Sequence, residues 1–115
     1  MLKIETKIGT LSAETVLAAY EKTGIKPDNH QYYDEDSNSG CALTAFVEAH
    51  SPGALIGTWK SKNPWKVIGD MLGITDQEES NISAGFFGNG TKLENPHRAL
   101  GYEIYKAVFP DADRN

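Results

Sequence analysis

The chain has one cysteine, Cys41, among its 115 residues, so no disulfide can form within it. That fits a reducing compartment more simply than a disulfide-stapled secreted scaffold. Long apolar runs are also missing: nothing approaches the eighteen or so residues of a membrane span. The first ten residues, MLKIETKIGT, lack the apolar centre of a signal peptide. A cytoplasmic location with no membrane association is the expectation. Positive charge is scarce, with 11 Lys and Arg against 16 Asp and Glu. A net charge of -5 argues against nonspecific nucleic-acid binding, which needs cations to neutralise phosphates. Repeats and low-complexity tracts are absent too.

What is present suits one ordinary globular domain spanning 1–115. Hydrophobic residues are 39% and charged residues 23%, a balance that can bury a core. Residues 2–8 alternate apolar and polar, so 1–10 reads as a strand or extended arm. Ser12 is an N-cap with Leu11 and Val16 spaced as a hydrophobic staple; Gly24 and Pro27 close that helix. Residues 25–40 show no periodicity and read as a long loop, with Tyr32 and Tyr33 packing part of it down. A helix then starts near Gly40, carrying Leu43, Phe46, Val47 and His50 on one face, and Ser51-Pro52-Gly53 ends it. His50 reads as a packed core residue. Residues 54–62 fit either a short helix or an irregular link, with Trp59 as an anchor.

The clearest signals lie between Asn63 and Gly90. Asn63 caps and Pro64 takes the first helical position. Gly73 ends that helix, and Thr75 with Glu78 forms a capping box for the next. Gly85, Gly88 and Gly90 weaken and stop it. Asn95 and Pro96 open a last helix that Pro110 terminates, leaving 111–115 as a polar tail. The expected fold is therefore mostly α, four or five short helices with a short N-terminal strand. Its core is drawn from Val16, Leu17, Tyr20, Leu43, Phe46, Val47, Val67, Ile68, Leu72, Ile82, Phe86, Leu100, Ile104 and Val108.

Three chemistries can be weighed on these elements. Cys41 falls in the first turn of its helix, where the helix dipole favours a thiolate. A thiol enzyme would need a base. His50 lies nine residues on, about 13.5 Å along the axis and on the opposite side. Only His30 or His97 could serve, brought near by folding. Asp34, Asp36 and Asn38 alternate like the first ligands of a calcium loop, but Ser39 and Ala45 stand where its glycine and closing glutamate belong. No cofactor or metal is expected on that basis. The Gly73 turn resembles that of a helix-turn-helix DNA-binding regulator. Glu79, however, occupies the position of its apolar anchor, and Asp76, Glu78 and Glu79 would repel phosphates.

Gly40-Cys41-Ala42-Leu43-Thr44-Ala45, the Leu72-Gly73-Ile74 turn, Gly85-Phe86 with Gly88 and Gly90, and Gly101-Tyr102 together resemble a loose group of small bacterial proteins. The resemblance covers 40–109 and implies no activity, cofactor or catalytic residue. The leading functional expectation is an acidic protein-interaction module without catalysis. Tyr32, Tyr33, Trp59, Trp65 and Phe87, beside Asp34 and Asp36, would form its binding surface. An acidic face suits a basic, nucleic-acid-handling partner, as an inhibitor of the phage anti-defence type would have.

Overall fold

The computed structural model describes residues 2–56 and 63–111. It begins with a β-hairpin. β1 (Lys3–Thr6) pairs antiparallel with β2 (Gly9–Ser12), Ile4 opposite Leu11. The partner of the N-terminal strand is thus the segment that immediately follows it. Ser12 both ends β2 and caps α1 (Ala13–Thr23). Its side chain accepts from the Thr15 amide, and the Thr15 hydroxyl accepts from the Ser12 amide. Leu11 and Val16, the expected staple, are fully buried. The helix stops at Gly24, whose φ of 75° is the left-handed conformation glycine adopts without strain.

Residues 25–40 are not an unstructured loop. β3 (Lys26–Pro27) pairs parallel with β5 (Ser39–Gly40), which pairs antiparallel with β4 (Tyr33–Asp34). The fold is therefore helix-rich mixed α/β rather than α with one strand. Strands of two residues leave no alternation to read; they exist because their backbone groups need partners beside a buried helix.

That helix is α2 (Ala42–His50), the centre of the molecule: every residue from Ala42 to Glu48 is buried. A helix enclosed on all sides explains its apolar composition. α3 (Pro64–Leu72) ends at Gly73, α4 (Asp76–Phe86) opens on the Thr75–Glu78 capping box, and α5 (Pro96–Val108) opens on Asn95. The hairpin turn is tied to α3 by Lys7 N–H donating to the Leu72 carbonyl at 3.0 Å. α4 and α5 make the most extensive contact in the fold. They cross so closely that a Cβ on Gly101 would lie 2.0 Å from the Ile82 carbonyl oxygen.

The core holds Val16, Tyr20, Leu43, Phe46, Val47, Ile68, Leu72, Ile82, Phe86, Leu100 and Ile104 as expected. Val67 and Val108 pack against it half-buried. Two expectations are corrected. Leu17 is 45% exposed, because the inward stripe of α1 runs through Val16, Ala19 and Tyr20 and leaves Leu17 about 100° round the helix. His50 is exposed in the last turn of α2, its Nδ1 within 2.7 Å of the Ser51 hydroxyl. Leu11, Ile25 and Leu55 are further core residues supplied by the segments flanking the helices.

Candidate functional site

Three aromatic side chains from three separate segments meet on one face. Tyr32 comes from the bend just before β4, Trp65 from the first turn of α3, and Phe87 from the C-cap of α4. The Tyr32 and Trp65 ring centroids are 6.4 Å apart with planes at 42°; those of Tyr32 and Phe87 are 6.3 Å apart at 79°, edge to face. Tyr32 is half-buried between its two neighbours, which are 41% and 37% exposed. Exposed side chains of this size placed together differ from single apolar residues scattered over a surface.

Each ring is placed by a local cause. The Tyr32 carbonyl accepts from the Cys41 amide (3.1 Å) and the Thr44 hydroxyl (2.7 Å), which pins it to the start of α2. That approach needs Gly40, since a Cβ there would lie 2.7 Å from the same carbonyl oxygen. Trp65 follows Pro64, whose fixed φ starts α3. Phe87 follows Phe86, which is buried and anchors the end of α4, so the next ring must turn outward.

Beneath the rings lies a carboxyl group. Glu79 is only 2% exposed; both its oxygens lie 3.1 Å from the Tyr32 hydroxyl, which donates to it, and the Ser83 hydroxyl donates as well. Burial pushes the Glu79 carboxyl up, against the Ser83 and Tyr32 hydrogen bonds that favour its charged form. Burial, with Glu79 next to it, also raises the Tyr32 phenol, so Tyr32 keeps its proton. Glu79 shares a stripe with Ile82, Ser83 and Phe86, at spacings of three, four and seven. That periodicity marks it as an inward residue, whereas the sequence alone presents it as a missing apolar anchor and a carboxylate that would repel phosphates.

Other sequence-nominated residues lie elsewhere. Tyr33 is buried, its hydroxyl donating to Asn38 Oδ1 at 2.8 Å. Asp34 accepts from the Asp36 amide and the Ser37 hydroxyl, turning the chain between β4 and β5. The oxygens of Asp34 and Asn38 are thus engaged within their own hairpin. Among the described residues no group of three His, Cys, Asp or Glu side chains is arranged to hold a metal. Trp59 lies outside the described residues.

Cys41 is buried, with Sγ 3.4 Å from the Thr44 hydroxyl. Burial raises its thiol, the opposite of what activates a nucleophile, although hydrogen bonds from Thr44 act against the rise. Among the described residues no histidine contacts the Cys41 sulfur, whose side-chain partner is Thr44. His97 Nε2 is 3.3 Å from Glu78 Oε2 across α4 and α5, and His30 is exposed, its amide donating to Asp28.

Glu48 is a structural carboxylate that sequence reasoning missed. Its oxygens accept from the amides of Gly53, Leu55 and Ile56 at 2.7–2.9 Å and hold the turn after α2. Comparisons of the chain with protein-family models, curated proteins and solved structures returned no match. No helix among the described residues is long and apolar enough to cross a membrane.

Proposed function

We propose that this protein is a non-catalytic protein-interaction module that binds through the face formed by Trp65, Tyr32 and Phe87. The observation supporting it is the convergence of three rings from distant segments with two left well exposed. A core needs no such exposure, whereas binding hot spots are enriched in Trp and Tyr set in a polar surround. The net charge of -5 favours a basic partner, and a nucleic-acid-handling protein held by an inhibitor or regulator is the class that fits.

The test is capture of partners from a lysate of the protein's own source, with and without nuclease, using tagged wild type and a Trp65→Ala/Phe87→Ala variant. Both side chains are at the surface, so the variant keeps its fold, checked by its melt. A partner that survives nuclease and is lost with the variant is the expected result. Truncating one hot-spot ring weakens binding by about 2 kcal/mol or more, roughly thirty-fold. Equal capture by the variant would overturn the assignment of this face.

A further inference from the structure

We propose, resting on that reading, that the corner between Trp65, Tyr32 and Phe87 receives an arginine side chain of the partner. The rings set the geometry. Trp65 and Phe87 flank Tyr32 at centroid separations of 6.4 and 6.3 Å, and their planes are tilted and nearly perpendicular to it rather than stacked. Trp65 and Phe87 keep part of their ring surface exposed on either side of Tyr32, and a π face attracts a cation through its quadrupole, with Trp the strongest. The Tyr32 hydroxyl donates a hydrogen bond to a carboxyl group, which enriches its ring in electron density.

Acidic groups stand beside the corner, Asp76 at the surface and the Glu79 carboxyl buried under Tyr32. Asp76 is exposed, and its charge is felt at Glu79. Its Oδ1 would lie 3.9 Å from a Cβ on Gly69. Gly69 is one helical turn beyond Trp65 on the same face of α3, so Asp76 stands at the rim. Lys66 is exposed beside Trp65 but about 100° round the helix. Lys106 Nζ lies 5.8 Å from the centroid of the Tyr102 ring, showing that a ring of this protein takes a cation. Among the described residues no cation sits over the three rings of the corner.

Arginine suits this corner better than lysine. Its guanidinium is planar, weakly hydrated and stacks on aromatic faces while its N–H groups reach a carboxylate. Glu79 is already engaged by Tyr32 and Ser83, so the exposed Asp76 is the carboxylate that accepts from it at the rim.

The experiment is an NMR titration of the full-length protein with tri-arginine and with tri-citrulline, which keeps the shape and removes the charge. Saturable shifts at the Trp65 indole, Phe87 and Tyr32 with tri-arginine, and binding about three- to ten-fold weaker for tri-citrulline, are expected. Trp65→Leu keeps an apolar side chain and removes the ring; it should weaken tri-arginine binding by a similar factor. Equal shifts from both peptides, undiminished binding by Trp65→Leu, or shifts confined to residues 34–36 would each overturn the proposal. If the aromatic variant loses its captured partner while the two peptides bind alike, the interaction face stands and the arginine receptor falls. If the peptides discriminate but capture ignores the rings, the reverse holds.

Discussion

Gly101→Ala tests the closest contact in the fold. The new methyl would sit 2.0 Å from the Ile82 carbonyl oxygen and 2.8 Å from its carbon. Ordinary contact begins near 3.4 Å, so α5 must move away from α4 by roughly an ångström, because the obstacle is backbone that cannot swing aside. A gap of that size forfeits about a quarter to a half of each dispersion contact along the crossing, beneath Ile82, Phe86, Leu100 and Ile104. Overpacking costs about 1–3 kcal/mol, and a backbone obstacle belongs at or above the upper end. Alanine returns up to about 1 kcal/mol of helix propensity. The expected net loss is about 2–3 kcal/mol, or about 8–12 °C in Tm for a domain of this size. Gly85→Ala meets the same crossing from the other side, 2.3 Å from the Arg98 carbonyl oxygen. One separation relieves both clashes, so the double variant should lose less than the sum. Gly24→Ala is the control: φ is 75° and the space is open, leaving only left-handed strain of about 1–2 kcal/mol. Urea unfolding followed by circular dichroism measures all four. Gly101→Ala at or above wild-type stability would refute the packing argument.

Three further outcomes are expected. The Glu79 carboxyl is raised in the folded state, so the native protein holds a proton that the unfolded chain has already released. Its contribution is therefore best below the unfolded value near 4.3 and declines as pH rises through the folded pKa. Glu79→Gln keeps a carbonyl oxygen to accept from Tyr32 or Ser83 and carries no charge to bury, and it should gain on wild type as pH rises; a gap moving the other way would contradict the assignment. Asn95→Ala removes the acceptor for the His97 and Arg98 amides and should cost about 1 kcal/mol, whereas Asn63→Ala, with no side-chain cap bond, should cost a few tenths; thermal melts distinguish them. Cys41 should react with a disulfide reagent at least about a hundred-fold more slowly in the native protein than in urea, because labelling requires opening; a native rate near that of a free thiol would mean it is accessible.

Helix ends were the most legible part of this chain. Ser12, Thr75 and Asn95 cap through their own side chains, and Gly24 and Gly73 supply left-handed stops, all within a few residues of the bonds they satisfy. Apolar stripes were legible where the helix has one buried face, as in α5. They misled at Leu17 and His50, where neighbours on a stripe differ by 100° of rotation that only packing partners resolve. The candidate site was half legible. Trp65, Tyr32 and Phe87 stood out as large side chains in polar surroundings, and Tyr33 beside them did so equally. One tyrosine turns in toward Asn38 and the other faces Trp65 and Phe87.

The sequence by itself determined where helices begin and end, because caps and stops act over four residues of chain. Only the tertiary structure decided which of those helices is enclosed, that α4 and α5 touch through Gly85 and Gly101, and that the Glu79 carboxyl lies under an aromatic corner. Those facts depend on groups 13 to 55 residues apart meeting in space. Their energies come from burial and close approach, which local pattern does not encode.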